Sequence, residues 1–251
     1  MDKHFFLSVN ISLGKYQEFI DKFAAYAKDR ASSYVCVCNV HMTIEAYFDK
    51  EFATVVNQAD IVTPDGLPLG KGLDFLYGIK QDRVSGPDLM PSLLERAEKD
   101  GLGVYFYGST DEILLKLTTF CKSRYPNLII SGSISPPFRV LSEDEKNEHI
   151  NQINSSGANI VFVALGCPKQ EKWMASMKSK INAIMLGVGG AFPMLVGVEK
   201  RAPLWMQKFM LEWFFRLIQD PKRLFKRYLV TNTYFVILLL REKIINKIGR
   251  K

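Results

Sequence analysis

The sequence lacks the signals of several common function classes. It holds four cysteines, and no second Cys or His pair follows Cys36 and Cys38 at the spacing of a zinc finger. We therefore interpret Cys36, Cys38, Cys121 and Cys167 as buried thiols in a reducing compartment, with a metal site as the alternative. No internal repeat or low-complexity tract is visible, and Met1 to Val9 does not resemble a secretory signal.

Two motifs of nucleotide chemistry are also missing. The glycines from Gly187 to Gly190 do not have the spacing G-x-G-x-x-G of a dinucleotide site, so a nicotinamide cofactor is weakly supported. No Asp-x-Asp element is found, and the acidic run Glu143-Asp144-Glu145 is better interpreted as a helix start. The sequence therefore predicts neither a metal nor a cofactor.

Positive charge is concentrated at one end of the chain. The 251 residues carry a formal net charge of +7. Residues 196–251 hold 13 Lys and Arg against 4 Asp and Glu, a balance of +9, so the preceding residues are slightly acidic. This asymmetry indicates an anionic partner, such as phospholipid, nucleic acid or a phosphorylated substrate.

Short apolar runs alternate with helical patterns as far as about Gly190. Strands are predicted at Phe5–Val9, Val35–Cys38, Ile61–Thr63, Val104–Tyr107, Leu128–Ser131, Ile160–Ala164 and Ala183–Leu186. Helices are predicted at Leu13–Arg30, Pro87–Lys99 and Ser142–Ile153. The alternation predicts an α/β fold, a Rossmann-like and mainly parallel sheet with helices on both faces.

The pattern changes in the basic tail. Pro203–Ile218 and Pro221–Leu240 read as two helices with no strand between them. The apolar run Leu229–Leu240 is too short to span a bilayer, which needs about 20 residues. Basic residues mixed with Trp and Phe are typical of interfacial membrane helices, and the alternative is a helix pair packed on the core. We predict a domain at 1–195 and a helical, membrane-binding appendage at 196–251.

Five loops that follow predicted strands hold the candidate chemistry. They are Asn39-Val40-His41, Thr63-Pro64-Asp65-Gly66, Tyr107-Gly108-Ser109-Thr110, Gly166 to Glu171, and Gly187 to Phe192. The carboxyl ends of parallel strands meet at one edge of a sheet, where ligands bind. Asp65 is either a turn residue or a base, and His41 is a base, a phosphate contact or a core residue. Backbone amides of Gly187–Gly190 can form an anion-binding nest.

A series of short motifs then occurs in order along the chain. These are Asn39-Val40-His41 with Ala46, Pro64-Asp65-Gly66, Ser135-Pro136-Pro137-Phe138, Gly166-Cys167-Pro168-Lys169-Gln170-Glu171-Lys172-Trp173, Gly187 to Phe192, Lys200-Arg201-Ala202-Pro203 with Trp205, Glu212-Trp213, Arg216-Leu217, and Pro221, Arg223 and Tyr228. Each is weak alone, but the ordered set resembles the WecG/TagA/CpsF glycosyltransferases, family 26, over about residues 5–240.

The resemblance implies a GT-E-like fold and an inverting, metal-independent enzyme. Its donor would be a UDP-sugar, carrying N-acetylmannosamine, its uronic acid, glucuronic acid or glucose. Its acceptor would be a sugar on polyprenyl pyrophosphate at the cytoplasmic face of the bacterial membrane, in the synthesis of exopolysaccharide, common antigen or teichoic acid. The enzyme would be a peripheral membrane protein, and a homo-oligomer is left open.

The resemblance also implies roles for particular residues. Asp65 matches the proposed general base, and Asn39, His41, Arg216 and Arg223 complete the predicted catalytic set. The predicted substrate-binding residues are Thr63, Gly66, Tyr107, Gly108, Ser109, Pro136, Phe138, Gly166, Pro168, Lys169, Gln170, Glu171, Gly187, Gly189, Gly190, Arg201 and Arg227. Many members carry an acidic residue where this chain has Pro193, so its contact with the base or ribose of the nucleotide is expected to differ.

Without a metal, fixed cations must neutralise the departing UDP. Arg216, Arg223 and Arg227 are the candidates, because arginine donates bidentately to phosphate, and interfacial lipid binding is the alternative role. Three other functions stay open: a membrane-tethered module that binds a nucleotide sugar without transferring it, a nucleic-acid binder, and a Rossmann-type oxidoreductase. The apolar run Leu229–Leu240 argues against nucleic acid as the partner.

Overall fold

The computed structural model describes residues 1–248, and 249–251 lie outside the described residues. The strands are β1 (Lys3–Phe6), β2 (Val9–Ser12), β3 (Ser33–Cys38), β4 (Ile61–Pro64), β5 (Val104–Gly108), β6 (Ile130–Ile134), β7 (Ile160–Ala164) and β8 (Ile184–Gly187). The helices are α1 (Tyr16–Lys28), α2 (Val40–Phe48), α3 (Lys50–Asn57), α4 (Leu67–Tyr77), α5 (Gly86–Asp100), α6 (Asp111–Arg124), α7 (Glu143–Ser155), α8 (Lys169–Met177), α9 (Ala191–Leu195), α10 (Leu204–Lys208), α11 (Glu212–Gln219) and α12 (Pro221–Ile248).

Two sequence predictions of single elements are wrong. The predicted strand Phe5–Val9 is interrupted by a turn at Leu7 and Ser8 between β1 and β2, where Leu7 has a φ of 58° and the Ser8 amide donates to the Phe6 carbonyl. The predicted helix Pro203–Ile218 is broken into α10 and α11, and Met210 in the break has a φ of 61°. The other predicted strands and helices are confirmed, with most ends shifted by a few residues, and the predicted helix Pro221–Leu240 continues to Ile248.

The described chain forms two compact units. One, the sheet unit, comprises Tyr16–Val37 and Gly86–Glu199. The other, the tail unit, comprises Met1–Lys15, Cys38–Ser85 and the chain from Lys200 onward. The tail residues thus cluster with the hairpin β1–β2 and with the segment around Asp65. The division into 1–195 and 196–251 stays a prediction.

The sheet unit contains parallel strands in the order β3-β8-β7-β5-β6. Consecutive residues of a strand point to opposite faces, and the neighbours of β5 show what covers each face. Phe106 packs edge-on against Phe192 of α9, while Tyr107 stacks on Trp173 of α8. Helices therefore cover both faces, and the predicted α/β class is confirmed.

In the tail unit, α12 packs against α2, α4 and α11. Its inward stripe of buried residues is Leu224, Thr231, Phe235 and Leu238, at the three- and four-residue spacing of a helix face. Phe235 approaches Phe6 of β1 with ring centroids 6.1 Å apart. Gly72 of α4 allows this packing, because a Cβ there would lie 2.6 Å from Phe6 Cζ.

The opposite side of the tail helices is apolar and exposed. Trp213, Phe214, Ile218, Phe225, Leu229, Ile237 and Leu240 have large exposed fractions. Within residues 1–248, no helix combines the length and the hydropathy needed to cross a bilayer.

Candidate active site

Asp65 follows β4 and precedes α4 in the tail unit. Its backbone amide donates to the Cys38 carbonyl over 2.6 Å, and Gly66 turns the chain with a φ of 86°. The Asn39 amide lies 3.5 Å from Asp65 Oδ2 and can donate to it. Asn39 also caps α2, since its Oδ1 accepts from the Met42 amide over 3.1 Å. The cap fixes Asn39 while its amide nitrogen faces the carboxylate.

The environment of Asp65 makes it a stronger base than an ordinary carboxylate. Burial first, and the charge of Glu212 second, raise the pKa of Asp65 from 3.8 to about 6, against the lowering effects of Arg83, Arg216 and the Asn39 hydrogen bond. Part of the Asp65 surface nevertheless remains exposed to solvent. Asp65 is therefore ionised at neutral pH and has a proton affinity suited to a general base.

A charged cluster surrounds Asp65. Arg83 Nη2 lies 2.9 Å from Glu212 Oε2 and donates to Ser85 Oγ over 3.2 Å. Arg201 Nε lies 3.9 Å from the other oxygen of Glu212. The glutamate of α11 thus joins the loop before α5 to the start of the tail. Sequence reasoning missed Arg83 altogether and gave Glu212 no role.

Arg216 and Arg223 differ in their surroundings. Arg216 is one of the two arginines whose charge acts on Asp65. Arg223 is bonded to Asp220 over 2.5 Å, and 62% of its side chain is exposed. A catalytic role for Arg223 stays a prediction without a geometric counterpart.

His41, in the first turn of α2, is neutral. Burial, and next the charge of Arg227, lower the pKa of His41 to about 4. Glu45 lies 3.6 Å from His41 Nδ1, but the low pKa means that the two do not form an ion pair at neutral pH. Thr63, another predicted site residue, is fully buried and donates its hydroxyl to the Val84 carbonyl. Its contact with a substrate stays a prediction.

The sheet unit gathers the remaining predicted residues at the carboxyl edge of its strands. Gly108 ends β5 so close to β7 that a Cβ would lie 2.6 Å from the Ala164 oxygen. The Ser109 amide donates to the same oxygen over 3.0 Å, and the Ser109 carbonyl accepts from Ser135 Oγ. Gly190 is the N-cap residue of α9, after β8, and Pro193 lies within that short helix.

Both polar atoms of the Gln170 side-chain amide form hydrogen bonds. Its Oε1 accepts from the Gly166 amide over 3.2 Å, and its Nε2 donates to Glu171 Oε1 over 2.7 Å. The amide packs against Gly187, where a Cβ would lie 3.0 Å from Nε2. Any side chain at position 187 would crowd Met174 and Gln170. Gln170 therefore links the loop after β7 to the end of β8.

Two expectations about this loop need correction. Lys169, Gln170 and Glu171 begin helix α8 instead of lying in a loop, with Pro168 at the N-cap position. Glu171 is also fully buried, and burial raises the pKa of its carboxyl to about 7 despite the hydrogen bond from Gln170. Lys169 is exposed, so of the three it is the most accessible to a ligand. Substrate contacts of all three stay predictions.

Three ring-bearing residues predicted to bind substrate, Tyr107, Pro136 and Phe138, differ in their exposure to solvent. Tyr107 is fully buried, and its hydroxyl lies 3.0 Å from His149 Nδ1. Pro136 is buried, whereas Phe138 in the loop after β6 is 87% exposed. Of these three residues, Phe138 is therefore the most accessible to a ligand. In the part of the chain that the structure describes, no cluster of three or more His, Cys, Asp or Glu could hold a metal ion.

Comparison with known proteins assigns the chain to a family. Residues 5–249 match the family described as "Glycosyl transferase WecG/TagA/CpsF family". Two curated relatives carry the name N-acetylglucosaminyldiphosphoundecaprenol N-acetyl-beta-D-mannosaminyltransferase. The one from Bacillus subtilis (strain 168) is 29% identical over 94% of this chain and 89% of its own length. The one from Bacillus spizizenii (strain ATCC 23059 / NRRL B-14472 / W23) is 28% identical over 87% and 83%. With a family match that covers nearly its whole length, this chain belongs to the WecG/TagA/CpsF family of glycosyl transferases.

Proposed function

We propose that this glycosyltransferase moves a sugar from a UDP-sugar to a saccharide on a polyprenyl diphosphate, with inversion and without a metal ion. The observation that carries the proposal is Asp65, a carboxylate at a strand end with a pKa raised to about 6 by burial. Such a group takes the proton of the acceptor hydroxyl as that oxygen attacks the anomeric carbon. Arg216 then meets the negative charge that develops on the departing UDP.

The relatives' names support the substrates. They describe transfer of an N-acetyl-β-D-mannosaminyl group to N-acetylglucosaminyl diphosphoundecaprenol. A β-linked product from an α-linked nucleotide sugar is an inversion, and an inverting transfer needs one base and no covalent intermediate. N-acetylmannosamine is accordingly our first choice of donor sugar among those that the resemblance implies.

The tail supports a place at the membrane surface. Its exposed residues combine aromatic side chains such as Trp213 and Phe225 with basic side chains such as Lys222 and Lys226. This composition fits a helix that lies in the interface of an anionic bilayer. We assign the enzyme to the cytoplasmic face, where nucleotide sugars are made, as a peripheral protein.

The test offers a panel of UDP-sugars with N-acetylglucosamine linked to a polyprenyl diphosphate, with and without EDTA. We expect UDP release and a β-linked disaccharide with one donor, and an unchanged rate in EDTA. UDP-sugar binding without transfer to any lipid-linked acceptor would contradict the proposal and favour a nucleotide-sugar-binding module. Loss of turnover in EDTA would contradict the role given to arginine.

Substitution of Glu212 should shift the pH dependence of this reaction. The charge of Glu212 raises the pKa of Asp65. In Glu212→Gln the pKa of Asp65 should therefore fall, and the acidic limb of the kcat/KM profile should move to lower pH by up to about one unit. The matched control is Glu51→Gln, an exposed glutamate of α3 in the same unit. A limb that stays in place or moves to higher pH would show that Asp65 does not set it.

A further inference from the structure

Several buried polar atoms of the tail unit find no hydrogen-bond partner among the described residues. Three of them lie on α2 and α12: His41 Nδ1, Arg227 Nε and Thr231 Oγ1. Glu45 Oε1 lies 3.6 Å from His41 Nδ1, beyond hydrogen-bond distance. A buried polar atom left without a partner destabilises the folded protein. Native proteins rarely accept several such costs in one place unless a ligand or water satisfies them.

The three groups lie on two helices that are neighbours in the tail unit. Helices α2 and α12 pack against each other, and the charge of Arg227 acts on His41. Arg227 and Thr231 are four residues apart, so they lie on the same side of α12. Thr231 is 3% exposed and is the only hydroxyl of the buried stripe, whose other members are Leu224, Phe235 and Leu238. An apolar side chain would fill that position without an unpaired hydroxyl.

The chemistry of the groups selects the ligand. Arg227 Nε carries a hydrogen, the Thr231 hydroxyl can donate, and neutral His41 has one N–H to offer. Three hydrogen-bond donors, one of them on the charged guanidinium of Arg227, can bind the oxygens of a phosphate or diphosphate. Beside them on α12, Phe225, Leu229 and Val230 are exposed and apolar. A diphosphate joined to a hydrocarbon chain matches both parts of this surface.

We propose that His41, Arg227 and Thr231 form the binding site for the diphosphate of the lipid-linked acceptor. This inference rests on the proposed function, and it gives different roles to two arginines of the tail. Arg216 acts beside Asp65 at the reacting centre, whereas Arg227 holds the acceptor one helix further along. The diphosphate of the UDP-sugar is the other source of the same chemistry, and the experiment separates the two.

The test is Thr231→Val, which replaces the hydroxyl by a methyl group of similar size. The Tm of the protein without substrate should stay the same or rise, because the variant removes an unpaired buried hydroxyl. The KM for a short-chain prenyl diphosphate carrying N-acetylglucosamine should rise on the order of tenfold, as expected for a lost hydrogen bond to a charged group. The KM for the UDP-sugar should not change. Opposite effects on stability and on acceptor binding distinguish a ligand contact from a packing role.

Two further variants complete the comparison. Thr233→Val makes the same change at an exposed position of α12 and should alter neither KM. Arg227→Lys keeps the charge but removes Nε, and it should raise the KM for the acceptor as Thr231→Val does. An unchanged acceptor KM in Thr231→Val overturns the proposal and leaves a trapped water as the partner. A raised KM for the UDP-sugar alone assigns the site to the donor and also overturns it.

Direct binding keeps this inference apart from the proposed function. Fluorescence anisotropy of a labelled prenyl diphosphate sugar measures affinity without any turnover. Binding by the wild type that weakens in Thr231→Val supports the acceptor site even if no transfer is found. Equal binding by the wild type and Thr231→Val, or no binding by the wild type, rejects it whether or not the enzyme transfers sugar.

Discussion

Replacing Asp65 by asparagine is expected to remove sugar transfer and to stabilise the folded chain above pH 6. The variant keeps the shape of the side chain, and Asn39 can still donate to its oxygen. It cannot accept the proton of the acceptor hydroxyl, so kcat should fall about 10²- to 10⁴-fold. The dissociation constant of the UDP-sugar should change little, because the base acts on the acceptor.

The stability effect follows from the direction of the pKa shift. The pKa of Asp65 is about 6 in the folded protein and 3.8 for an ordinary aspartate. Between these values the folded chain binds more protons than the unfolded chain, so wild-type stability falls as the pH rises from about 4 to 6. The amide of the variant carries no charge to desolvate. The free energy of unfolding of Asp65→Asn, relative to wild type, should therefore increase over this range and then level off.

Urea unfolding at pH 4.5 and pH 7.5, together with single-turnover rates, tests both effects. The matched control is Asp74→Asn, an exposed aspartate of α4, which should change neither stability nor rate. A variant with normal turnover removes Asp65 from the mechanism. If Asp65→Asn is inactive but not stabilised at pH 7.5, Asp65 is the base but its pKa in the wild type is not raised.

The sequence predicted Asp65 because its signal is local. A Pro-Asp-Gly turn directly after an apolar run places a carboxylate at the end of a buried strand. Arg83 and Glu212 gave no such signal. Their contact joins a loop before α5 to the first turn of α11, and no periodicity or turn chemistry marks either residue. Contacts between distant segments depend on the assembled fold, so the charges that set the pKa of Asp65 were not predictable from the pattern.

The wrong element boundaries have a common physical cause. The chain turns at Leu7 and breaks at Met210, both with a left-handed backbone. Glycine or asparagine usually marks such positions, and neither residue is present there. At α8 the sequence does carry a signal, because Pro168 precedes the helix and proline is common at helix starts. The burial of Gln170 and Glu171 follows from that helix.

Replacing Arg216 by alanine should reduce transfer by about 10²- to 10³-fold, the usual cost of losing one group that stabilises transition-state charge. Arg216 also lowers the pKa of Asp65, so the variant should raise that pKa. Rates are therefore best measured at pH 8.5, where Asp65 stays ionised and only the loss of the cation remains. Added guanidinium ion should restore part of the lost rate, because it can occupy the space of the missing side chain.

Arg223→Ala is the matched control, since Arg223 lies on the next helix of the same tail but is exposed and bonded to Asp220. Its turnover in detergent should remain within about tenfold of the wild type, as expected for an exposed ion pair of small energetic value. Equal losses in the two variants would mean that both arginines reach the diphosphate when substrate is bound. A larger loss in Arg223→Ala than in Arg216→Ala would assign the neutralisation of the UDP charge to Arg223 on α12 instead of Arg216 on α11.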